Sequence, residues 1–137
     1  MPAMMAGQAS FAPDAARIEA LARAALARIP APFAQHLGDV VLIVEEIAED
    51  EVLDDLGIED PFELTGIYQG RPVGEKSAWD SGAMPDRIHL YRRAILDEWA
   101  ASGESLERLV AHIVVHEVGH HFGLSDEAMH ALEAAVE

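Results

Sequence analysis

One segment near the end of the sequence is apolar around most of a helical circumference. It begins near Glu104 and runs to Gly123, and the carboxylates of Glu104 and Glu107 suit the positive end of a helix. Its apolar residues recur at almost every turn and are Leu106, Leu109, Val110, Ile113, Val114, Val115 and Val118. Because such a helix has no wide polar face, we predict that it is largely buried under other elements.

The rest of the chain supplies elements that can cover this helix. Residues 1–13 carry small residues and two prolines and are expected to form a flexible tail. The pattern that follows predicts, in chain order, a helix capped by Asp14, a strand within 39–47, an acidic helix ending near Gly57, strands within 63–70 and 87–92, a helix over about 93–101, and a last helix from Ser125. This order predicts an α+β fold with a single domain over residues 14–137.

Charge and composition limit the partners of the chain. The formal net charge is -16 and the pI is near 4.6, so phosphate backbones and anionic membranes are repelled while metal cations and cationic peptides are attracted. The absence of cysteine excludes disulfides, thiolate ligands and a cysteine nucleophile. The sequence contains neither a secretory signal pattern nor an apolar run of ~20 residues. We therefore expect a cytoplasmic protein that binds neither nucleic acid nor membrane.

The sequence HEVGH on the apolar helix has the spacing of a metal site. His116 and His120 are four residues apart, so both imidazoles project from the same face of a helix. Two imidazoles placed in this way can occupy two corners of a tetrahedral zinc. Glu117 follows the first histidine, about 100° around the helix, where it can act on a zinc-bound water without being a ligand. This HExxH pattern predicts two histidine ligands and a glutamate general base.

A third ligand is expected just beyond the helix. Gly123 can adopt the left-handed conformation that reverses the chain, and Asp126 follows three residues later. The full pattern is then H-E-x-x-H-x-x-G-x-x-D, which leaves one coordination position open for water. His130 is the main rival of Asp126 as third ligand, and Glu127 is a weaker one. Asp126 also suits the first turn of a helix capped by a serine, and that role alone would explain it.

Other polar residues near the motif have simpler interpretations. His112 lies one turn before His116 on the same stripe and is expected to pack or to support a ligand. His121 points away from this stripe. His116 and His120 themselves could be packed helix residues, although the coincidence of spacing, glutamate, glycine and aspartate favours a metal site. The candidates for a donor that stabilises an oxyanion are Tyr68, Tyr91, His89, Arg92 and His130.

The motif resembles that of the small bacterial family of zincin-like, minimal metallopeptidases. The resemblance rests on HEVGHHFGLSD (116–126), ELTGIYQGRPVGEKS (63–77) and MPDRIHLYR (84–92). It implies a compact α+β fold in which a small mixed sheet packs on helices, with the active-site helix near the C-terminus. It also implies a single zinc ion, with His116, His120 and Asp126 at the ligand positions and Glu117 at the position of the base.

These observations favour a zinc metallopeptidase that hydrolyses peptide or protein substrates. The alternative is a non-catalytic zinc domain that binds or regulates a partner protein. A single-zinc ribonuclease with an H-x-x-x-H spacing is disfavoured by the acidic charge and by Glu117. The strand over 87–92 could form a sheet edge that pairs with an extended peptide. The sequence leaves the oligomeric state open.

Overall fold

The computed structural model describes residues 9–70 and 85–137. Within these ranges the α-helices, in chain order, are α1 (Ala15–Ala27), α2 (Asp50–Leu56), α3 (Arg92–Ser102), α4 (Leu106–His121) and α5 (Asp126–Val136). The strands are β1 (Val41–Glu45), β2 (Gly66–Gln69) and β3 (Arg87–Tyr91), and short 3-10 helices cover Phe33–His36 and Pro61–Glu63. The predicted α+β architecture is confirmed. Most of the predicted loop 71–86 lies outside the described residues.

The strands form one small mixed sheet in the order β1-β3-β2. β1 runs parallel to β3, and β2 runs antiparallel to it. The strand over 87–92 is therefore central in the described sheet, and the expectation that it forms an edge is wrong. Strand order depends on pairing between residues far apart in the chain, so a local pattern does not reveal it. In the part of the chain described, the edges are β1 and β2.

The two faces of the sheet pack against different helices. Ile88 and Leu90 of β3 are fully buried in the main core with residues of α1, α4 and α5. Tyr91 faces the other way and packs in a second cluster with Leu53 of α2 and Ala94 of α3. This alternation follows from the two-residue period of a strand. Side chains on one face of β3 can thus approach α4, whereas those on the other face cannot.

Helix α4 is the centre of the fold, as its apolar circumference predicts. The Ser105 side chain caps it by accepting a hydrogen bond from the Arg108 N–H at 3.2 Å. Its buried residues are Leu106, Leu109, Val110, Ala111, Ile113, Val114, Val115, Val118 and Gly119. The sheet and α1 cover it from one side and α5 from another, so its polar residues are confined to a narrow stripe.

Gly123 reverses the chain between α4 and α5, as the sequence predicts. Its φ is +67°, a left-handed conformation that a residue with a Cβ adopts only with strain. The Leu124 N–H donates to the Gly119 carbonyl at 2.9 Å, and the Gly123 N–H donates to the His120 carbonyl at 3.1 Å. These two bonds define a Schellman motif, which satisfies the last carbonyls of the helix.

Helix α5 folds back along α4. Gly119 lies so close to Met129 that a Cβ at this position would overlap the Met129 thioether. Further from the turn, Glu133 of α5 lies against His112 and His116 of α4. Residues later in α5 therefore contact residues earlier in α4, so the two helices are antiparallel. None of the helices in the described ranges has the length and apolarity needed to cross a bilayer.

Candidate metal centre

Three histidines line the polar stripe of α4. His112, His116 and His120 are each four residues apart, so their rings follow one another along a single face. The ring centres of His116 and His120 are 5.7 Å apart and the rings are perpendicular. Two imidazoles bound to one tetrahedral zinc have ring centres roughly 5 Å apart, given Zn–N bonds of about 2 Å. The ring separation of the HExxH pair is therefore compatible with a shared metal ion.

A carboxylate of α5 meets this stripe. Glu133 Oε1 lies 2.8 Å from His112 Nδ1 and 2.9 Å from His116 Nε2. Ligand atoms of His112, His116 and Glu133 all lie within 4.8 Å of one another. In the two described ranges, no other group of three or more histidine, aspartate or glutamate side chains converges in this way. The helical hairpin therefore gathers two imidazole nitrogens and a carboxylate oxygen around one point.

The environment of Glu133 fits a neighbouring positive charge. Its Oε1 atom is buried and lies within 2.9 Å of two ring nitrogens. A buried carboxylate is costly unless a positive charge, on an imidazolium or on a metal ion, compensates it. Two imidazoles and a carboxylate are ligands that zinc accepts. The donors present on this stripe therefore fit a zinc ion.

Burial and neighbouring charge keep His116 neutral. Burial lowers the pKa of the His116 imidazole, and the positive charge that His112 can carry lowers it further. The carboxylate of Glu133 acts in the opposite direction but does not outweigh burial. An imidazole must be neutral to bind a metal, so the lowered pKa of His116 suits a ligand at neutral pH.

Glu117 lies on another side of α4, facing the sheet. Its Oε1 accepts a hydrogen bond of 3.2 Å from the backbone N–H of Tyr68 in β2. Its Oε2 lies 3.9 Å from His120 Nδ1. The side chain is only 19% exposed, and burial raises the pKa of the Glu117 carboxyl against the smaller, opposing effects of His120 and the Tyr68 N–H. A carboxylate with a raised pKa is a stronger base than an exposed one.

The predicted ligands are not all brought together. His116 belongs to the converging group, whereas the His120 side chain is 66% exposed and lies next to Glu117. Asp126 is exposed in the first turn of α5 and is not among the converging donors, and its rivals Glu127 and His130 are exposed as well. The assignment of His116, His120 and Asp126 as ligands stays a prediction.

The sequence contained a signal for Glu133 that the sequence analysis missed. Asp126, His130 and Glu133 are spaced by four and three residues, which places them along one face of α5. The histidines of α4 show the same kind of spacing. A polar stripe on each of two consecutive helices, joined by a tight glycine turn, predicts two stripes that face each other.

Tyr68 connects the sheet to a second polar cluster. Its hydroxyl donates a hydrogen bond of 2.7 Å to Asp86 Oδ2, and its ring stacks on His121 with ring centres 4.0 Å apart. Burial, together with the hydrogen bond and the charge of Asp86, raises the pKa of the Tyr68 hydroxyl. Tyr68 therefore stays protonated at neutral pH. His121 is nearly buried here, with a 7% exposed side chain, and it points away from the His116 stripe as expected.

The remaining candidates for an oxyanion donor are separated by the fold. Tyr91 packs with α2 and α3 on the sheet face opposite α4, and His89 lies on that same face of β3, where its Nδ1 lies 2.6 Å from Glu45 Oε1. Arg92 donates from Nε to the Pro13 carbonyl and from a terminal nitrogen to Glu46. Tyr68 and His130 are left as the candidates on the α4 and α5 side.

Comparison with known proteins identifies the relatives of the chain. A sequence model of the family described as Zincin-like metallopeptidase matches residues 37–136. The match therefore includes every strand within the described ranges, helices α2 to α5, and the whole polar stripe of α4. No curated protein matches the chain.

Proposed function

The chain belongs to the zincin-like metallopeptidase family, and from this we propose that it is a zinc-dependent peptidase whose general base is Glu117. Family membership indicates a metallopeptidase type of function and zinc binding. The observation that supports Glu117 as the general base is its position. It is a mostly buried carboxylate that accepts a hydrogen bond from a β-strand beside a stripe of histidines. A glutamate with a purely structural role on α4 would not need to be adjacent to metal donors.

The proposed ligands are His116, His120 and Asp126. The perpendicular rings of His116 and His120 support a shared ion, and Gly123 directs the chain so that Asp126 follows α4 immediately. When bound, zinc supplies a Lewis acid that polarises a peptide carbonyl and makes water easier to deprotonate. The protein residues then have to orient the reactants and move protons.

We assign the proton transfers to Glu117. Its Oε1 is fixed by the Tyr68 N–H, so the carboxylate does not rotate freely, and its Oε2 is left on the side of His120. From there it can take a proton from the attacking water and pass it to the leaving amine. Its raised pKa favours the uptake of the proton from water, and the carboxylic acid formed in this way is then the proton donor to the leaving amine.

The proposed substrate is an extended peptide lying along β2. In the described part of the sheet, β2 pairs only with β3, and its Tyr68 N–H points outward to Glu117. An edge strand can add a further strand through main-chain hydrogen bonds, which do not depend on the side chains of the substrate. Such a peptide would bring its scissile bond close to Glu117. The acidic surface favours basic peptides.

The test is hydrolysis of a mixed peptide library by the zinc-loaded protein and by Glu117→Gln. The substitution keeps the size and a hydrogen-bond acceptor for the Tyr68 N–H but removes the base. We expect turnover to fall about 10²–10⁴-fold while zinc content is unchanged. Glu98→Gln, an exposed glutamate on α3, is the matched control and should keep full activity.

Two results would contradict this proposal. Full activity in zinc-loaded Glu117→Gln would remove Glu117 from the mechanism. No cleavage by the zinc-loaded wild type, combined with unfolding when zinc is removed, would favour the alternative of a non-catalytic zinc domain that binds a partner.

A further inference from the structure

We propose that His112, His116 and Glu133 form a second site for a zinc-like dication, which overlaps the predicted His116, His120 and Asp126 site at His116. The two sets have the same donor types, two imidazoles and one carboxylate. They differ in position along the helical hairpin. The predicted set lies beside the Gly123 turn, and the second set lies about one helical turn further from it.

The geometry of the second set is the basis of the proposal. Glu133 Oε1 lies 2.8 Å from His112 Nδ1 and 2.9 Å from His116 Nε2, and the rings of the two histidines are 4.1 Å apart at their centres. The buried Glu133 Oε1 atom is the common partner of both ring nitrogens, which can hydrogen-bond to it in the metal-free protein and share a cation with it when a metal is bound. Two imidazole nitrogens and a carboxylate oxygen around a common point describe a cation site.

His116 cannot serve both sites at once. A neutral imidazole has a single nitrogen with a free lone pair, so it binds one metal ion at a time. His116 Nε2 faces Glu133 in the structure. An ion held between His112 and Glu133 therefore withdraws His116 from the HExxH pair. The two sites are alternatives, and a chain uses one or the other.

An open cavity gives ions access to the second site. It has a volume of about 240 Å³, and its lining includes His112 and Glu133. Three further carboxylates, Glu104, Glu107 and Glu137, also line it, together with two arginines. The His112 side chain is 51% exposed. The overall acidic charge raises the local concentration of dications around such an opening.

The chemistry of the donors selects the type of metal. Imidazole suits zinc and its neighbours in the first transition row, whereas magnesium and calcium prefer oxygen ligands only. Two of the three donors here are imidazoles. The site should therefore bind Zn²⁺ and ignore Mg²⁺ at comparable concentration.

The test measures zinc affinity in a protein whose predicted site has been disabled. The background variant is His120→Ala combined with Asp126→Ala, in which only the second set is complete. We expect this variant to bind one zinc ion per chain in competition with a chromophoric chelator. Adding Glu133→Gln or His112→Ala should weaken the binding more than about tenfold. Adding Glu98→Gln is the matched control and should leave it unchanged.

Two results would overturn the proposal. The first is a background variant that binds no zinc while its helical circular dichroism and melting temperature show that it is folded. The second is unchanged zinc affinity after either Glu133→Gln or His112→Ala. Both residues lie on the partly exposed faces of their helices, so these substitutions are not expected to unfold the protein.

A consequence for activity rests on the proposed peptidase function. Chains that hold zinc at the second site should be inactive, because that ion removes His116 from the HExxH pair. The two sites exclude each other, so excess zinc does not change the ratio of their occupancies. Glu133→Gln should instead raise the activity per bound zinc ion when the protein is saturated with zinc. The binding test does not use activity, so a failed peptidase proposal and a failed second site are distinguished.

Discussion

At the scale of single residues, the position of Glu117 depends on contacts from two separate parts of the chain. The HExxH pattern places it beside the histidine pair, because the helix period fixes that relation. Its bond to the Tyr68 N–H joins residues 49 positions apart, and no local pattern contains that information. The sequence thus proposes Glu117 as the base, whereas the orientation of its carboxylate and its raised pKa depend on how β2 packs on α4.

Tyr91 gives a prediction about stability at alkaline pH. Burial, with the nearby charges of Glu45 and Glu49, raises the pKa of Tyr91 from 10.0 to about 12. The unfolded chain ionises this group near pH 10, whereas the native state keeps it neutral. Its contribution to stability is therefore complete below pH 10 and is lost as the pH rises through about 12. The contribution at stake is about 2–3 kcal/mol.

The comparison of Tyr91→Phe with the wild type isolates this effect. The variant lacks the ionisable hydroxyl, so its free energy of unfolding should fall less steeply between pH 10 and about 12. Urea unfolding at several pH values measures both slopes. Identical slopes in the two proteins would show that Tyr91 ionises in the native state as it does in the unfolded chain. Tyr68, whose pKa is also raised, provides the remaining tyrosine contribution.

At the scale of elements, helix ends were predicted well and helix partners were not. Gly57 and Gly123 were each predicted to end a helix, and each has a positive φ in the structure. A glycine at a helix end acts locally, so its effect is visible in the sequence. Glu133 was missed because its signal is a polar stripe on a second helix, which gains meaning only when the Gly123 turn folds α5 back along α4.

Gly123→Ala tests the role of the turn between α4 and α5. Alanine at a φ of +67° should lower the free energy of unfolding by about 1–2 kcal/mol. Zinc affinity should fall as well, because the turn sets the register of the two polar stripes. Gly38→Ala is the control, since Gly38 has an ordinary φ and no atom within 4 Å of an added Cβ. Equal stability of the two variants, measured by urea unfolding, would contradict the strained-turn account.

At the scale of the whole molecule, α4 lies between the sheet and α5 and presents its polar groups to both. Glu117 faces β2, and His112 and His116 face Glu133 of α5. The sequence predicted the α+β class and the burial of α4 from periodicity alone. It did not predict the sheet order, because strand order arises only when distant segments pack together. The second set of donors was not predicted either, although the facing polar stripes of α4 and α5 carry a signal for it.

The central claim is that the stripe of α4 binds zinc through His116, the residue common to both proposed sites. The most direct test is the zinc content of the purified protein after reconstitution, compared with His116→Ala. We predict a single zinc ion per wild-type chain, a loss of that ion in His116→Ala, and its retention in His36→Ala, which replaces an exposed histidine outside the stripe. A folded His116→Ala protein that keeps its zinc would contradict the account, since neither donor set could then hold the metal as described.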